Sequence, residues 1–369
     1  MRRVRAKIAV LLGTRPEIIK LSPLVRLLER SKYPYFMVHT GQHFSYEMDK
    51  VFFQDLELPR PKYHFTRPRA ASGLQCEETA RILEATEPIL LKERPKAILL
   101  QGDTNSVLAG ALAAAKIPSI RIGHVEAGLR SFDRKMPEEI NRIVTDHLSH
   151  YLFAPTKLAR ELLLNEGVAS KKIFVTGNTI VDALKENLII ARRKVKLGQW
   201  LENGREAFFL MTLHRQENVD HKERLKAILE GVGRIGRQFN RPIIFPVHPR
   251  TQGRLKQFSL KLPREVRPVK PMGFLDFLRL EERAELLLSD SGGVQEEGCI
   301  LRVPCVTLRT STERPETVSV GANIVAGYDP GHILNCAKHM LGRKRHWKNP
   351  FGDGNASQKI LKILEGTLS

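Results

Sequence analysis

The chain has 369 residues, enough for two domains of ordinary size, and its 42% hydrophobic content can fill two cores with no compositional sign of disorder. Lys and Arg outnumber Asp and Glu by 60 to 40, for a formal charge of +20, which marks either a solvated basic surface or an anionic partner. The cations are spread along the chain, without a Cys/His finger spacing or an aromatic RNA-binding signature, so a phosphorylated small molecule is favoured over nucleic acid.

Cys76, Cys299, Cys305 and Cys336 form no CxxC and fit neither a zinc site nor a disulfide framework. They are expected to be reduced thiols in a cytoplasmic protein. The opening "MRRVRAKIAVLLGTRPE" imitates a signal peptide briefly, but its apolar run is short and has no small-residue cleavage site. No apolar stretch is long enough to span a bilayer, so no membrane partner is expected.

Short apolar runs alternate with helical patterns. "KIAVLLG" reads as a strand and is followed by a helix from Pro16 towards Arg30. "YFMVHTG" is the next strand, and an amphipathic helix covers about Leu74 to Glu93. "KAILLQGD" is a strand and "NSVLAGALAAAKI" a helix. "SIRIGHVEAG" begins as a strand, and "PEEINRIVTDHLSH" is a helix with Pro in its first turn. "YLFAPT" and "KIFVTGN" complete the first set.

The second half repeats the style. "EAFFLMTLHRQEN" is followed by a helix near Lys222 to Gln238, "RPIIFPVHPR" by a helix near Gly273 to Glu282, and "AELLLSDSGG" by a helix from Val294; "VPCVTLR" and "NIVAG" then follow. The alternation predicts an α/β chain of two Rossmann-like, doubly wound parallel-sheet domains. The boundary is expected near Gly177–Asn178, giving domains 1–177 and 178–354. A last helix, within 355–369, is expected to cross back to the first domain.

Ligands of open parallel sheets bind beyond the carboxyl ends of the strands. That rule selects Gly13-Thr14-Arg15, Gly41-Gln42-His43, Gly102-Asp103, His124-Val125-Glu126, His214-Arg215, His248 and Ser291-Gly292-Gly293 as residues facing one cleft between two domains. "SDSGGVQEEG" follows a strand and opens a helix. Its glycines let backbone approach a ligand, its free N–H groups favour a diphosphate, and Glu297 is placed to accept from ribose hydroxyls. It is neither GxGxxG nor GxxxxGK[ST], which disfavours nicotinamide cofactors and ATP hydrolysis. In "GTRPEIIK", Arg15 is suited to bidentate phosphate contact and Lys20 adds a second cation. His214 and His248 each follow a strand, but their neighbours complete no metal site, and no metal is assigned.

The acids carry more. Asp103 could cap the helix that follows it, and Glu138 or Glu139 could favour a helix N-terminus. Glu126, between Val125 and Ala127, has no such plain task. Carboxylates gathered near an anionic ligand repel one another, which raises at least one pKa and suits proton transfer.

In this order, "GTRPEIIK", "TGQH", "QGDTNS", "GHVEAGLRS", "MPEEINR", "TLHRQENV", "PVHPR", "SDSGGVQEEG" and "RTSTERPE" resemble the non-hydrolysing UDP-N-acetylglucosamine 2-epimerases over nearly the whole chain. The resemblance implies the two-Rossmann-domain architecture of one glycosyltransferase class (GT-B-like), with UDP in the interdomain cleft. It also implies a homodimer and no metal or nicotinamide cofactor. Arg15 and Lys20 look like the family's substrate-binding cations, Asp103, Glu126 and Glu138 like its catalytic acids, and His214 like its catalytic histidine. Ser291, Gly292, Gly293 and Glu297 look like the UDP-binding turn and Phe277 like the uracil neighbour, while His248 and Arg314 match cleft positions. The reaction implied is inversion at C2 by elimination of UDP to a glycal and re-addition.

Members with "GQHxxML" bind a second UDP-sugar as activator. Here the text is "GQHFSYEM", which keeps Gln42 and His43 as candidate allosteric residues and differs in the positions after them. "HFSYEMDKVFFQDLEL" and "PVHPRT" are also similar to members acting on UDP-2,3-diacetamido-2,3-dideoxy-glucuronate. That substrate, and a UDP-sugar glycosyltransferase of the same architecture, are the alternatives.

Overall fold

In the computed structural model, residues 6–42, 46–66, 74–201 and 206–368 are described, without the side chains of 46–49. The chain divides into two compact units. Unit 1 comprises Met1–Glu186 and Phe351–Ser369, and unit 2 comprises Asn187–Pro350.

Unit 1 begins with β1 (Ile8–Leu12), α1 (Arg15–Arg30), β2 (Tyr35–His39), α2 (Tyr46–Asp55) and β3 (Tyr63–His64). It continues through α3 (Gln75–Glu93), β4 (Ala97–Gln101), α4 (Asn105–Ala115), β5 (Arg121–Val125) and α5 (Pro137–Leu148). β6 (Tyr151–Ala154), α6 (Lys157–Asn165), β7 (Ile173–Val175) and α7 (Thr179–Lys194) complete the run. The junction expected at Gly177–Asn178 lies inside unit 1, and the division falls within α7.

The seven strands pair in parallel in the order β3-β2-β1-β4-β5-β6-β7. The central strands "IAVLL" and "AILLQ" are buried at every position. Helices cover both faces of such a sheet, so its strands read as unbroken apolar runs. On α1, Ile18, Leu21, Leu24, Val25 and Leu28 form the apolar stripe that packs inward. Gly13, where β1 hands over to α1, admits no side chain: a Cβ there would meet Thr40 Oγ1 at 1.9 Å and Ser106 Oγ at 2.2 Å. The ends of β1 and β2 and the start of α4 can therefore converge.

Unit 2 runs β8 (Phe209–Thr212), α8 (Gln216–Val219), α9 (Lys222–Phe239), β9 (Ile243–Pro246), α10 (Pro249–Gln257) and β10 (Val266–Val269). Then come α11 (Phe274–Arg283), β11 (Leu286–Ser289), α12 (Gly292–Leu301), β12 (Cys305–Thr307), α13 (Pro315–Ser319), β13 (Asn323–Val325) and α14 (Pro330–Gly342). Its six strands are also parallel, in the order β10-β9-β8-β11-β12-β13. One apolar cluster joins Phe209, Ile228, Phe245, Leu288 and Ile333; another joins Leu210, Ile244, Leu287, Val294 and Cys305. They are the two faces of the sheet, since alternate residues of a strand point to opposite sides.

The last helix, α15 (Ala356–Thr367), belongs to unit 1 and packs on α1. Its start is held from far away in sequence. Buried Asp182 of α7 accepts from Ala356 N at 3.2 Å and Ser357 N at 2.9 Å. A carboxylate there satisfies amides that have no intrahelical partner and favours the positive helix end. Asp182→Ala should therefore lower stability by about 1–2 kcal/mol, read as a reduced denaturant midpoint with amide exchange accelerated first in residues 356–360. An unchanged midpoint would show that α15 is held by its apolar face alone.

Candidate active site

In unit 1 the carboxyl ends of β1, β4 and β5 bring the expected acids and cations to one edge of the sheet. Glu126 follows β5 directly and is buried. Its φ is +73°, a left-handed conformation that side chains beyond glycine rarely adopt. Lys20 Nζ reaches its two oxygens at 2.6 and 2.8 Å, Asn178 donates at 3.2 Å, and Gln101 of β4 also donates. Glu126 therefore has a partner set that its sequence neighbours do not announce, and the Lys20 charge is directed at this acid.

Asp103 is half-buried one residue past Gly102, whose φ is +85°. Arg142 of α5 meets Asp103 Oδ2 at 2.5 Å, and Asn141 donates to the Asp103 carbonyl at 2.9 Å. Asp103 does not cap α4. Thr104 does, accepting from Val107 N, because the cap position falls one residue later. Glu138 is exposed in the first turn of α5 and has no hydrogen-bond or ionic partner among the described residues. Asn141 and Arg142 lie three and four residues beyond it, so Glu138 shares the helix face that meets the Asp103 loop. Glu139 is buried, accepts from Ser131 and Phe132 N–H at 2.9 Å each, and pairs with Arg142 at 3.1 Å.

Arg15 is the first residue of α1, and its guanidinium stands 5.7 Å from the centre of the Phe52 ring. Gln42 is buried, and its side-chain oxygen accepts from Ser106 N at 3.0 Å and Ser106 Oγ at 2.7 Å, tying the loop after β2 to α4. His43 lies outside the described residues.

In unit 2, the turn from β11 into α12 carries Ser291, Gly292 and Gly293. Ser291 sits at the cap position without making a side-chain cap bond, which leaves the opening amides of Gly292 and Gly293 uncapped. Beside it, fully buried Asp290 accepts from His214 N at 3.0 Å and Arg215 N at 2.8 Å, and its Oδ1 lies 3.2 Å from His214 Nδ1. Burial alone would raise the Asp290 pKa, but His214 and these amides hold it below the usual range. The ionised carboxylate keeps the proton of His214 on Nδ1 and leaves Nε2 as the outer nitrogen. His248 heads α10 with Nδ1 accepting from Arg250 N at 3.2 Å, its ring 5.6 Å from that of His214. Burial lowers its pKa, and the neighbouring His214 and Arg250 add to that shift. Arg314 pairs with Glu296 of α12 at 2.7 Å, Phe277 is half-buried against the core on α11, and Glu297 is half-buried on α12. No group of three or more His, Cys, Asp or Glu among the described residues could hold a metal ion.

A family model described as UDP-N-acetylglucosamine 2-epimerase matches residues 26–365. The chain belongs to the UDP-N-acetylglucosamine 2-epimerase family. It is 53% identical over 364 residues to the UDP-N-acetylglucosamine 2-epimerase of Methanocaldococcus jannaschii, covering 97% of this chain and 98% of that one. A crystal structure of Methanocaldococcus jannaschii UDP-GlcNAc 2-epimerase in complex with UDP-GlcNAc and UDP matches with a TM-score of 0.84, covering 97% of this chain and 99% of that one. The UDP-2,3-diacetamido-2,3-dideoxy-D-glucuronate 2-epimerase of Pseudomonas aeruginosa is 41% identical over 364 residues, with 97% and 99% covered.

Several polar groups of this family member escaped the sequence reading. Gln101, Asn178 and Arg142 in unit 1, and Asp290 in unit 2, make contacts that sequence spacing does not report. Glu17 was legible in principle, because Thr14-x-x-Glu17 is a capping-box pattern. It is fully buried, accepts from Gly13 N at 2.5 Å and Thr14 N at 3.2 Å, and takes a further bond from Thr104 Oγ1. It thus binds the β1–α1 turn to the β4–α4 turn.

Burial raises the Glu17 pKa from the usual 4.5 to about 7, against the pull of these donors. The folded protein therefore keeps a proton that the unfolded chain releases above pH 4.5. The stability this supplies is complete below pH 4.5 and is lost as pH rises through 7, on the order of 3 kcal/mol in all. Glu17→Gln, which mimics the protonated form, should gain on the parent by that amount between pH 4 and 8 in denaturant titrations. A gap that stays constant with pH would defeat the assignment.

Proposed function

We propose that this isomerase inverts C2 of UDP-N-acetylglucosamine reversibly, giving UDP-N-acetylmannosamine, by elimination and re-addition of UDP. The observation that carries the reading is the set of acids at one sheet edge in unlike environments. Glu126 is buried against Lys20, Asp103 is half-buried against Arg142, and Glu138 is exposed. Removing a proton from one face of a carbon and returning it to the other calls for more than one acid/base group, which this set supplies. A sugar transferase has no need to take a proton from carbon.

No carbonyl activates the C2–H bond, so direct deprotonation is too slow. In elimination, a carboxylate takes the C2 proton, the C–H electrons become the C1=C2 double bond, and UDP leaves with the C1–O pair. Return of a proton to the other face of C2 and attack of the UDP oxygen on C1 complete the inversion. Asp103, Glu126 and Glu138 are the groups we assign to these transfers. Arg15, Lys20, His214 and the amides of the Ser291–Gly293 turn stabilise the departing diphosphate. His248 and Arg314 flank the nucleotide, Glu297 accepts from the ribose, and Phe277 packs by the uracil.

The 41% identity to a diacetamido-glucuronate epimerase supports a second substrate reading, in which the same chemistry acts on that UDP-sugar. Gln42 and His43 are retained as contacts for an activating second UDP-sugar. Four free cysteines, one of them exposed, suit a reducing cytoplasm, and the active form we propose there is a homodimer of twice 41.9 kDa.

In heavy water the protein should exchange the C2 proton of UDP-N-acetylglucosamine for deuterium while the epimer appears, followed by NMR. A parallel run with the diacetamido-uronic substrate ranks the two sugars. Asp103→Asn and Glu126→Gln should each slow exchange by about 10²–10⁴-fold with UDP affinity held within about twofold. Turnover that leaves C2 unlabelled would sink the mechanism, and free sugar accumulating with UDP would point to hydrolysis instead.

A further inference from the structure

Glu281 presents a physical problem. It lies on α11, fully buried, between Leu280 and Ala284 of the apolar core. Neither of its carboxyl oxygens meets an N–H or O–H donor among the described residues, and no cation pairs with it there. Arg279, two residues before it, is bonded to Glu282, which also takes Arg192. Glu296 of the neighbouring α12 is taken by Arg314 at 2.7 Å. Cys305 of β12, itself a buried thiol, is the other titratable neighbour. On the helix packed against α11, the group that bears on Glu281 is a second carboxyl, that of Glu297 on α12.

Two carboxylates cannot both stay ionised in such a place. A buried charge without a cation is heavily penalised, and a like charge beside it adds repulsion. Burial raises the Glu281 carboxyl well above its usual range, and the Glu297 charge raises it further. Two ionised carboxylates offer only acceptors, so a bond between them requires one proton held in common. Glu297 is half-buried and the more open to water of the two, so it is the one that keeps the negative charge.

We propose that Glu281 carries that proton and donates it to one oxygen of Glu297, fixing the carboxylate so that its other oxygen accepts from the ribose hydroxyls of the nucleotide. Glu281 is then a positioning residue for nucleotide binding, acting through Glu297. The inference rests on the reading of Glu297 as the ribose acceptor. A bond from a neutral acid to a carboxylate is short and strong for its class. An apolar side chain would fill the same space at no desolvation cost, so the acid has a use that packing does not supply.

The test compares binding of UDP and of 2′,3′-dideoxy-UDP, by calorimetry on the full chain, for the parent, Glu281→Met, Glu281→Gln and Glu297→Gln. Glu281→Met removes the donor, keeps the volume, and should unfold no lower in temperature than the parent. It should bind UDP about tenfold more weakly while the dideoxy nucleotide is unaffected, so that the preference for ribose shrinks. Glu281→Gln, whose amide N–H donates to the same oxygen, should restore UDP binding to within about twofold of the parent. Glu281→Met binding UDP like the parent, while Glu297→Gln loses the ribose preference, would overturn the proposal and leave the role of Glu297 standing. Retention of the preference in Glu297→Gln would overturn the ribose reading itself, and the role of Glu281 with it.

Discussion

A carboxylate on a left-handed backbone, gripped by one lysine and two amides, organises the acid edge of unit 1. Holding a non-glycine residue at the +73° of Glu126 costs about 1–2 kcal/mol. The conformation persists because several elements require it at once. Lys20 comes from α1, Gln101 from the end of β4 and Asn178 from the start of α7, while the Glu126 amide donates to Phe153 of β6 at 3.1 Å. Four pieces of chain distant in sequence therefore meet on one side chain. A shift in any of them moves the acid, and the acid in turn fixes their spacing. Glu17 does the same between the turns after β1 and β4, so Arg15 and Asp103 stand on neighbouring turns that share one buried carboxyl.

Behind this edge lies a second layer of charge. His124 on β5 is fully buried, with Nδ1 2.6 Å from Asp146 and Nε2 2.8 Å from the Gly102 carbonyl. A carbonyl and a carboxylate can only accept, so both ring nitrogens carry hydrogen. Burial would strip the charge, but Asp146 outweighs it and holds the His124 pKa above its usual value. The Asp146 carboxylate also takes Arg130 at 2.8 Å and the Gly128 amide at 3.1 Å. The chain from Gly102 through His124 and Asp146 to Arg130 anchors the carbonyl just before Asp103. A protein with a surplus of 20 positive charges thus sets cations beside the acids of this edge: Lys20 at Glu126, Arg142 at both Asp103 and Glu139, and Arg130 at Asp146.

Legibility in the sequence followed the range of the interaction. The central strands were readable because both their faces are buried and their residues are apolar without interruption. The strand-end loops were readable because glycine and polar residues punctuate those runs. The edge strands β3 and β10 were not: β3 has two residues, and "VRPV" carries Pro268 and Arg267, which an edge position tolerates and a central one does not. Arg15, Lys20, Asp103, Glu126 and the Ser291 turn could be chosen from position alone. Their partners could not, since Lys20 and Glu126 are separated by 106 residues and Asp290 and His214 by 76. Glu281 was invisible for the opposite reason: a helix "LRLEERAE" shows its acids as solvated ones until the packing reveals which is inside.

Glu138 and Glu139 make the same point at the scale of one helical step. Adjacent residues on α5 point about 100° apart, so one faces in and the other out. Glu139, inside, receives the Ser131 and Phe132 amides and thereby holds Phe132 at φ +60°, a strained turn that closes the loop after Gly128. Burial opposes its charge, yet these donors and Arg142 keep its pKa below the usual range. Moving this carboxylate would release the loop. Glu138 carries neither burden: it is exposed, has no partner among the described residues, and lies on the helix face that meets the Asp103 loop. Of the two neighbouring acids, Glu139 does the structural work and Glu138 stands open to solvent.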